Sequence, residues 1–275
     1  MSYLLLTSSG NFANISVPVF PYTTEINLPF DFINLDDNSI DIRDEGTKYD
    51  KRSCKASFLL PVVEQTNLNA LLFNNVRAKN ILLTVPSNGG FFPFGADKGD
   101  SNGFTVSIEM INTPSIQQQP FRYFKCEMLF TNVGSYPAYA LPTEVDEGLF
   151  EFGDVDKLLM PQNMFIPDTK FTISINHTEN SSAQYFDRGN LGDNAGTRFI
   201  LNCNQSKCAA ILHFLTNVNR SETFNVTSQD YYYMFGIDYG SGTVYPVKIA
   251  SNKIIIRHVN YDNFEIELSL MRIRI

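Results

Sequence analysis

The segment Asp97-Lys98-Gly99-Asp100-Ser101-Asn102-Gly103 sets side-chain oxygens at a spacing that resembles a calcium loop. The twelfth position counted from Asp97 is Ile108, where an EF-hand needs a bidentate Glu, so the segment reads as a structural turn. The three histidines, His177, His213 and His258, lie far apart, and no pair has the HxH or HxxxH spacing of a metal site. Cys54, Cys126, Cys203 and Cys208 form no CxxC pair and read as buried reduced thiols. There is no G-x-S-x-G elbow and no Walker loop. The Gly-rich stretch Asp187 to Gly196 is acidic, the wrong potential for cradling phosphate, and reads as a long loop. The carboxylate pairs Asp36-Asp37 and Asp44-Glu45 could serve acid–base chemistry only at a separation that a fold must supply. The expectation is a protein with no catalytic residues, no metal and no cofactor; a glycoside hydrolase is the least favoured of three functional classes.

Charge excludes further classes. Asp plus Glu number 29 against 21 Lys plus Arg, for a net charge of −8, which disfavours both sequence-independent nucleic-acid binding and attraction to anionic lipid. The start, Met1 to Leu6, lacks a basic residue and a long apolar run, and no stretch approaches the roughly 18 apolar residues of a membrane span. No signal peptide and no membrane insertion are expected. Without a signal peptide, the sequons that begin at Asn14, Asn176, Asn180, Asn204, Asn219 and Asn225 carry little weight. With 23 Phe and 13 Tyr, the chain has ample apolar side chain for a folded core.

The elements that would position any site are mostly strands. Ile81 to Val85, Gly103 to Ile108 and Phe264 to Leu268 are β-branched or aromatic, often alternate, and are separated by Gly, Asn, Asp and Pro. Two stretches have helical spacing instead. Leu68, Leu71 and Leu72 in 64–73, and Ala209, Leu212 and His213 in 205–214, fall at i, i+3, i+4, with Thr66 and Ser206 as expected N-caps.

The two helical stretches are related by one fixed offset, that between Leu71 and Leu212, and the match continues on both sides. Residues 58–108 laid on 199–249 without a gap share 12 identities in 51 positions, where composition alone gives roughly three. Phe58-Leu59-Leu60 faces Phe199-Ile200-Leu201, Leu71-Leu72-Phe73 faces Leu212-His213-Phe214, and Phe94-Gly95-Ala96-Asp97-Lys98-Gly99 faces Phe235-Gly236-Ile237-Asp238-Tyr239-Gly240. After a one-residue slip, Phe124 and Glu127 fall on Phe264 and Glu267. Gly95, Gly99, Gly236 and Gly240 fit a tight turn, with Asp97 and Asp238 accepting from the backbone two residues on. Tyr231-Tyr232-Tyr233 could stack a sugar, but it faces Gly90-Phe91-Phe92, so packing is the favoured role. His213 faces Leu72 and reads as a histidine tolerated beside a core face.

The expected organisation is an extended N-terminal arm over 1–22, a first β domain over 23–133, a connector over 134–164 and a second β domain over 165–275. The fold class is mainly β: two tandem, internally duplicated antiparallel β-sandwich or barrel domains, each with one short helix. A β-rich unit with one helix between strands, the early segment Asp41 to Cys54, and Tyr245-Pro246-Val247-Lys248-Ile249 followed by the strand Phe264 to Leu270 resemble the tail-tube-related domains of long-tailed bacteriophages. The distal tail protein is the nearest match, with the baseplate hub second; the repeat suits the hub. The resemblance implies a non-enzymatic structural protein of the virion tail, made in the host cytoplasm. It would form a homo-oligomeric ring of three or six chains that contacts the tube, hub and tip proteins. The competing class is a carbohydrate-binding β-sandwich module for host-surface attachment. The Pro-bearing arm and the final strand, Ile266 to Ile275, are the expected inter-subunit contacts.

Overall fold

The computed structural model describes residues 3–34, 40–44, 50–74, 80–86, 90–96, 103–112, 115–117, 123–134, 151–152, 166–169, 173–177, 183–187, 195–218, 223–228 and 243–272. The protein is mainly β. The strands of the N-terminal half are β1 (Tyr3–Ser8), β2 (Asn11–Ser16), β3 (Val19–Asn27), β4 (Phe30–Asn34), β5 (Ile40–Asp44), β6 (Lys51–Pro61), β7 (Ile81–Thr84), β8 (Phe104–Met110), β9 (Ser115–Gln117) and β10 (Tyr123–Asn132). Those of the C-terminal half are β11 (Glu151–Phe152), β12 (Ile166–Thr169), β13 (Ile173–His177), β14 (Ala183–Asp187), β15 (Ala195–Cys203), β16 (Phe224–Ser228), β17 (Thr243–Ile249), β18 (Lys253–Asn260) and β19 (Asn263–Arg272). Helix α1 (Val62–Asn74) follows β6, and α2 (Gln205–His213) follows β15 and continues into a π-helical turn, Phe214–Val218.

Strict alternation drives the strands. In β6, Arg52, Cys54, Ala56, Phe58 and Leu60 are all buried, and the residues between them are not. In β18 and β19 the same period buries Ile254, Ile256 and His258, then Phe264, Ile266, Leu268 and Leu270.

The main sheet follows the path β11-β16-β17-β19-β18-β3-β6-β10-β8-β7-β1-β2, with β15 joined to β19, β12 to β15 and β9 to β10. The pairs are antiparallel except β11–β16. β4–β5 and β13–β14 are separate hairpins. One long strand organises each half. β10 carries β6 on one edge and both β8 and β9 on the other. β19 carries β15 on one edge and both β17 and β18 on the other. The pairing order β6-β10-β8-β7 is thus repeated as β15-β19-β17-β16. Ile108 sits opposite Phe130 and Ile249 opposite Leu270, the same register under the repeat once its one-residue slip is counted. Leu71 and Leu212 are buried on the inner faces of α1 and α2.

Three expectations are corrected. Residues before Thr23 are not a free arm: β1 and β2 form a hairpin, β1 also pairs with β7, and Leu4, Leu6, Ala13 and Ile15 are in the core. The alternation of those four apolar residues outweighs Pro18 and Pro21, which fall outside the hairpin. The final strand β19 is no sheet edge, because it has partners on both sides. The helix caps also differ. Thr66 lies inside α1, its hydroxyl donating to Val62 O at 2.8 Å, and α2 is capped by Asn204, whose Oδ1 accepts from Lys207 N at 3.0 Å.

Candidate assembly interface at the seam

The two halves meet where β18 pairs with β3, from Lys253 opposite Asn27 to His258 opposite Tyr22. Period 2 gives this seam two faces. On the outer face Lys253 Nζ meets Glu25 at 2.8 Å, and further along β18 Arg257 meets Glu265 at 3.1 Å. These partly exposed pairs contribute little stability but fix register. On the inner face Tyr22, Thr24, Ile26, Ile254, Ile256 and His258 are buried.

His258 is wholly enclosed. Its ring stacks on Tyr22 at 4.2 Å between centroids and meets Phe264 edge-on at 4.9 Å. The Thr24 hydroxyl donates its one proton to Pro93 O at 3.2 Å, so at the 3.0 Å contact it accepts from Nε2 of His258. That fixes the neutral tautomer with hydrogen on Nε2, and leaves Nδ1 without a hydrogen-bond partner among the described residues. Burial without a countercharge holds its pKa down at about 3.

Residues 90–96 latch the seam. Tyr22 Oη donates to Gly90 O at 3.3 Å and accepts from Phe92 N at 3.0 Å. Phe91 and Phe94 belong to the core of the N-terminal half, whereas Phe92 and Ala96 belong to the core of the C-terminal half. Arg52, buried beside Asp50 with an ion-pair distance of 3.4 Å, donates from Nη1 to Phe94 O. Gln205, opening α2, donates from Nε2 to Ala96 O at 3.3 Å.

Of the turn residues singled out in the sequence, Gly95 lies in this latch with φ of +107°. Asp97, Gly99, Gly236, Asp238 and Gly240 lie outside the described residues, as do Tyr231–Tyr233 and most of the acidic Gly-rich stretch. The four cysteines are buried free thiols. Burial pushes Cys54 up to about 12 and Cys126 to about 11, and Cys208, beside Cys203, is also driven upward, so none of these three is poised as a thiolate nucleophile. Among the described residues no group of three His, Cys, Asp or Glu side chains is placed to hold a metal ion. No described helix is long and apolar enough to cross a membrane.

Sequence reasoning missed His258 and the role of Phe92. The signal for His258 was present: in Ile254-Ile255-Ile256-Arg257-His258 the alternation puts it on the face of Ile254 and Ile256. The latch has no local signature, because Phe91 and Phe92 diverge only through tertiary packing. An open groove of about 500 Å³ lies beside the seam, where β3 bulges away from β6; Val19, Phe20, Leu59, Tyr123 and Lys125 are among its lining residues. No protein-family model matches the chain, and no curated protein sequence is significantly similar to it.

Proposed function

We propose that the protein is a structural, ring-forming component of a phage-like virion tail, placed between the tail tube and the tip or baseplate. The observation that carries the proposal is the seam, where two halves of like strand order join edge to edge in one sheet and are locked by buried aromatic rings. A chain that works by making interfaces needs strand edges and apolar side chains rather than a chemically equipped cleft. Exposed Phe12, Val63 and Phe73 supply the second. The tail setting comes from the resemblance of the repeated unit to tail-tube-related domains. The assignment includes no catalytic step, and its partners are copies of the same chain and neighbouring tail proteins.

The test is native mass spectrometry and negative-stain imaging of the full chain, alone and with neighbouring tail proteins. Closed rings of three or six chains are expected. For the competing carbohydrate-binding assignment the groove at Tyr123 and Lys125 is a candidate surface among the described residues, and a glycan array tests it. A chain that stays monomeric with its partners present, yet binds a defined glycan, would overturn the ring in favour of that assignment.

A further inference from the structure

We infer that in the ring the outer edge of β9 in one chain pairs antiparallel with the outer edge of β12 in the next, repeating between chains the β18–β3 seam within each chain. The inference rests on the ring assignment and says which surfaces build it.

The pairing scheme supplies the argument. β9 occupies in the N-terminal half the place of β18 in the C-terminal half: each lies on the same edge of the long strand, opposite its first residues. Lys125 faces Ser115, and its counterpart Glu265 faces Arg257. β12 occupies the place of β3, since each flanks the strand that precedes the helix, β15 in one case and β6 in the other. Within the chain the second edges of β18 and β3 are joined to each other. Among the described residues the second edges of β9 and β12 have no strand partner. The two vacant edges are therefore the counterparts of the two that are used.

An unpaired edge leaves backbone N–H and C=O groups for another strand. The β9 edge lies in the N-terminal half and the β12 edge in the C-terminal half, so joining them is heterologous and head-to-tail. Such contacts close into a ring when the rotation allows. The new ladder is shorter than the internal one. β12 is four residues long and contains Pro167, which has no N–H. Since alternate residues face one edge, β12 offers at its outer edge either Ile166 and Asp168, or Thr169 alone, as donors. A ladder this short needs the avidity of a closed ring, which favours a complete assembly over loose pairs.

The test uses added cysteines in the full chain. Ser115→Cys or Gln117→Cys in one tagged copy is co-expressed with Asp168→Cys or Thr169→Cys in a differently tagged copy. The four combinations cover a slip of register. Diamide takes the two electrons as each thiol pair closes to a disulfide, and peptide mapping identifies the pair. Melting temperatures within a few degrees of the parent show that the variants fold. Links between a β9 cysteine and a β12 cysteine of different tags, running as a covalent dimer that carries both tags on a non-reducing gel, are expected. Rings that form without such links, or with 115–115 links from a two-fold contact, would overturn the edge assignment and leave the ring standing. No oligomer under any condition would remove the ring itself and the inference with it.

Discussion

Phe91 and Phe92 are consecutive residues that lie in different hydrophobic cores. Phe91 meets Tyr22, Phe58 and Phe130 at ring centroid distances of 5.2, 6.5 and 6.1 Å, all in the N-terminal half. Phe92 meets Phe264 at 5.4 Å and stacks towards His258 at 6.5 Å, both in the C-terminal half. One peptide bond thus ties two cores together, and Tyr22 holds it on either side by accepting from Phe92 N and donating to Gly90 O.

Removing either ring leaves a cavity, and Phe→Ala in a core typically costs about 3–5 kcal/mol. Both Phe91→Ala and Phe92→Ala are expected to lower the unfolding free energy obtained from urea titration by an amount in that range. Because Phe92 is the member that enters the second core, Phe92→Ala should also split one unfolding transition into two, followed by circular dichroism. A single transition with an unchanged midpoint would show that the latch contributes nothing to coupling the halves.

Stability should fall in mild acid through His258. The folded protein keeps it neutral down to a pKa of about 3, while the unfolded chain takes up a proton near 6.5. The contribution is whole above pH 6.5 and is lost as pH falls from there towards 3, at about 1.4 kcal/mol per unit for the single proton. His258→Phe keeps the aromatic stack and removes the titration, leaving Thr24 to donate to Pro93 O. Between pH 7 and pH 4 the urea midpoint of the parent should fall relative to that of His258→Phe. Parallel pH profiles would exclude His258 as the source.

Much of the fold was legible in the sequence, and the reason is local. Alternation along the full length of β6, β10 and β19 needs no tertiary context, and neither do the leucines of α1. The hairpin β1–β2 was obscured because its turn, Ser9-Gly10 with φ of 46° and 86°, lies between short strands near prolines that draw attention to an extended chain. The cap of α2 was misplaced by two positions, since Asn204 and Ser206 are equally good capping types. The seam could not be read at all, because β3 and β18 come from opposite ends of the chain and leave no spacing to recognise.

Phe73 faces Phe214 when residues 58–108 are laid on 199–249, yet Phe73 is 86% exposed and Phe214 only 1%. The difference follows from the backbone. α1 stays regular to Asn74, whereas α2 gives way at Phe214 to a π-helical turn that buries Phe214, Leu215 and Thr216. Phe214 then packs edge-on to Phe224 at 5.3 Å. Phe73→Ser should therefore change stability by no more than about 0.5 kcal/mol, and Phe214→Ser should cost several. Equal losses in thermal melts would show that the two helix ends are packed alike.

Gly90 faces a double constraint. Its φ is +66°, and a Cβ there would stand 2.5 Å from Cδ2 of Tyr261. Gly90→Ala should destabilise by about 1 kcal/mol from the backbone alone, and by more while the Tyr261 ring is in place. In a Tyr261→Ala background the same substitution should cost only the backbone share. If the cost is identical in both backgrounds, the ring contact has no energetic weight. Gly95→Ala, at φ of +107°, should cost a similar backbone share.

The N-terminal hairpin gives the sharpest departure from an arm that could be removed without harm. Leu4, Leu6, Ala13 and Ile15 are all 0% exposed, and β1 continues the sheet by pairing Leu5, Leu6 and Thr7 with Thr84, Leu83 and Leu82. The outer strand β2 is tied to α1, with Ser16 N donating to Glu64 Oε2 at 2.7 Å and Ser16 Oγ donating to Oε1 at 3.1 Å. Those bonds occupy the carboxylate of the one charged residue in α1. Leu6→Ala alone should cost about 2–5 kcal/mol, and deleting residues 1–16 should expose β7 and the inner face of α1 together. The truncated chain is expected to lose its cooperative melt and to bind a hydrophobic dye, whether or not partner chains are present. Glu64→Gln keeps the shape but weakens both bonds to Ser16, and should cost about 1 kcal/mol. A truncated chain that melts like the parent and fails only to assemble would restore residues 1–16 to the role of an assembly arm.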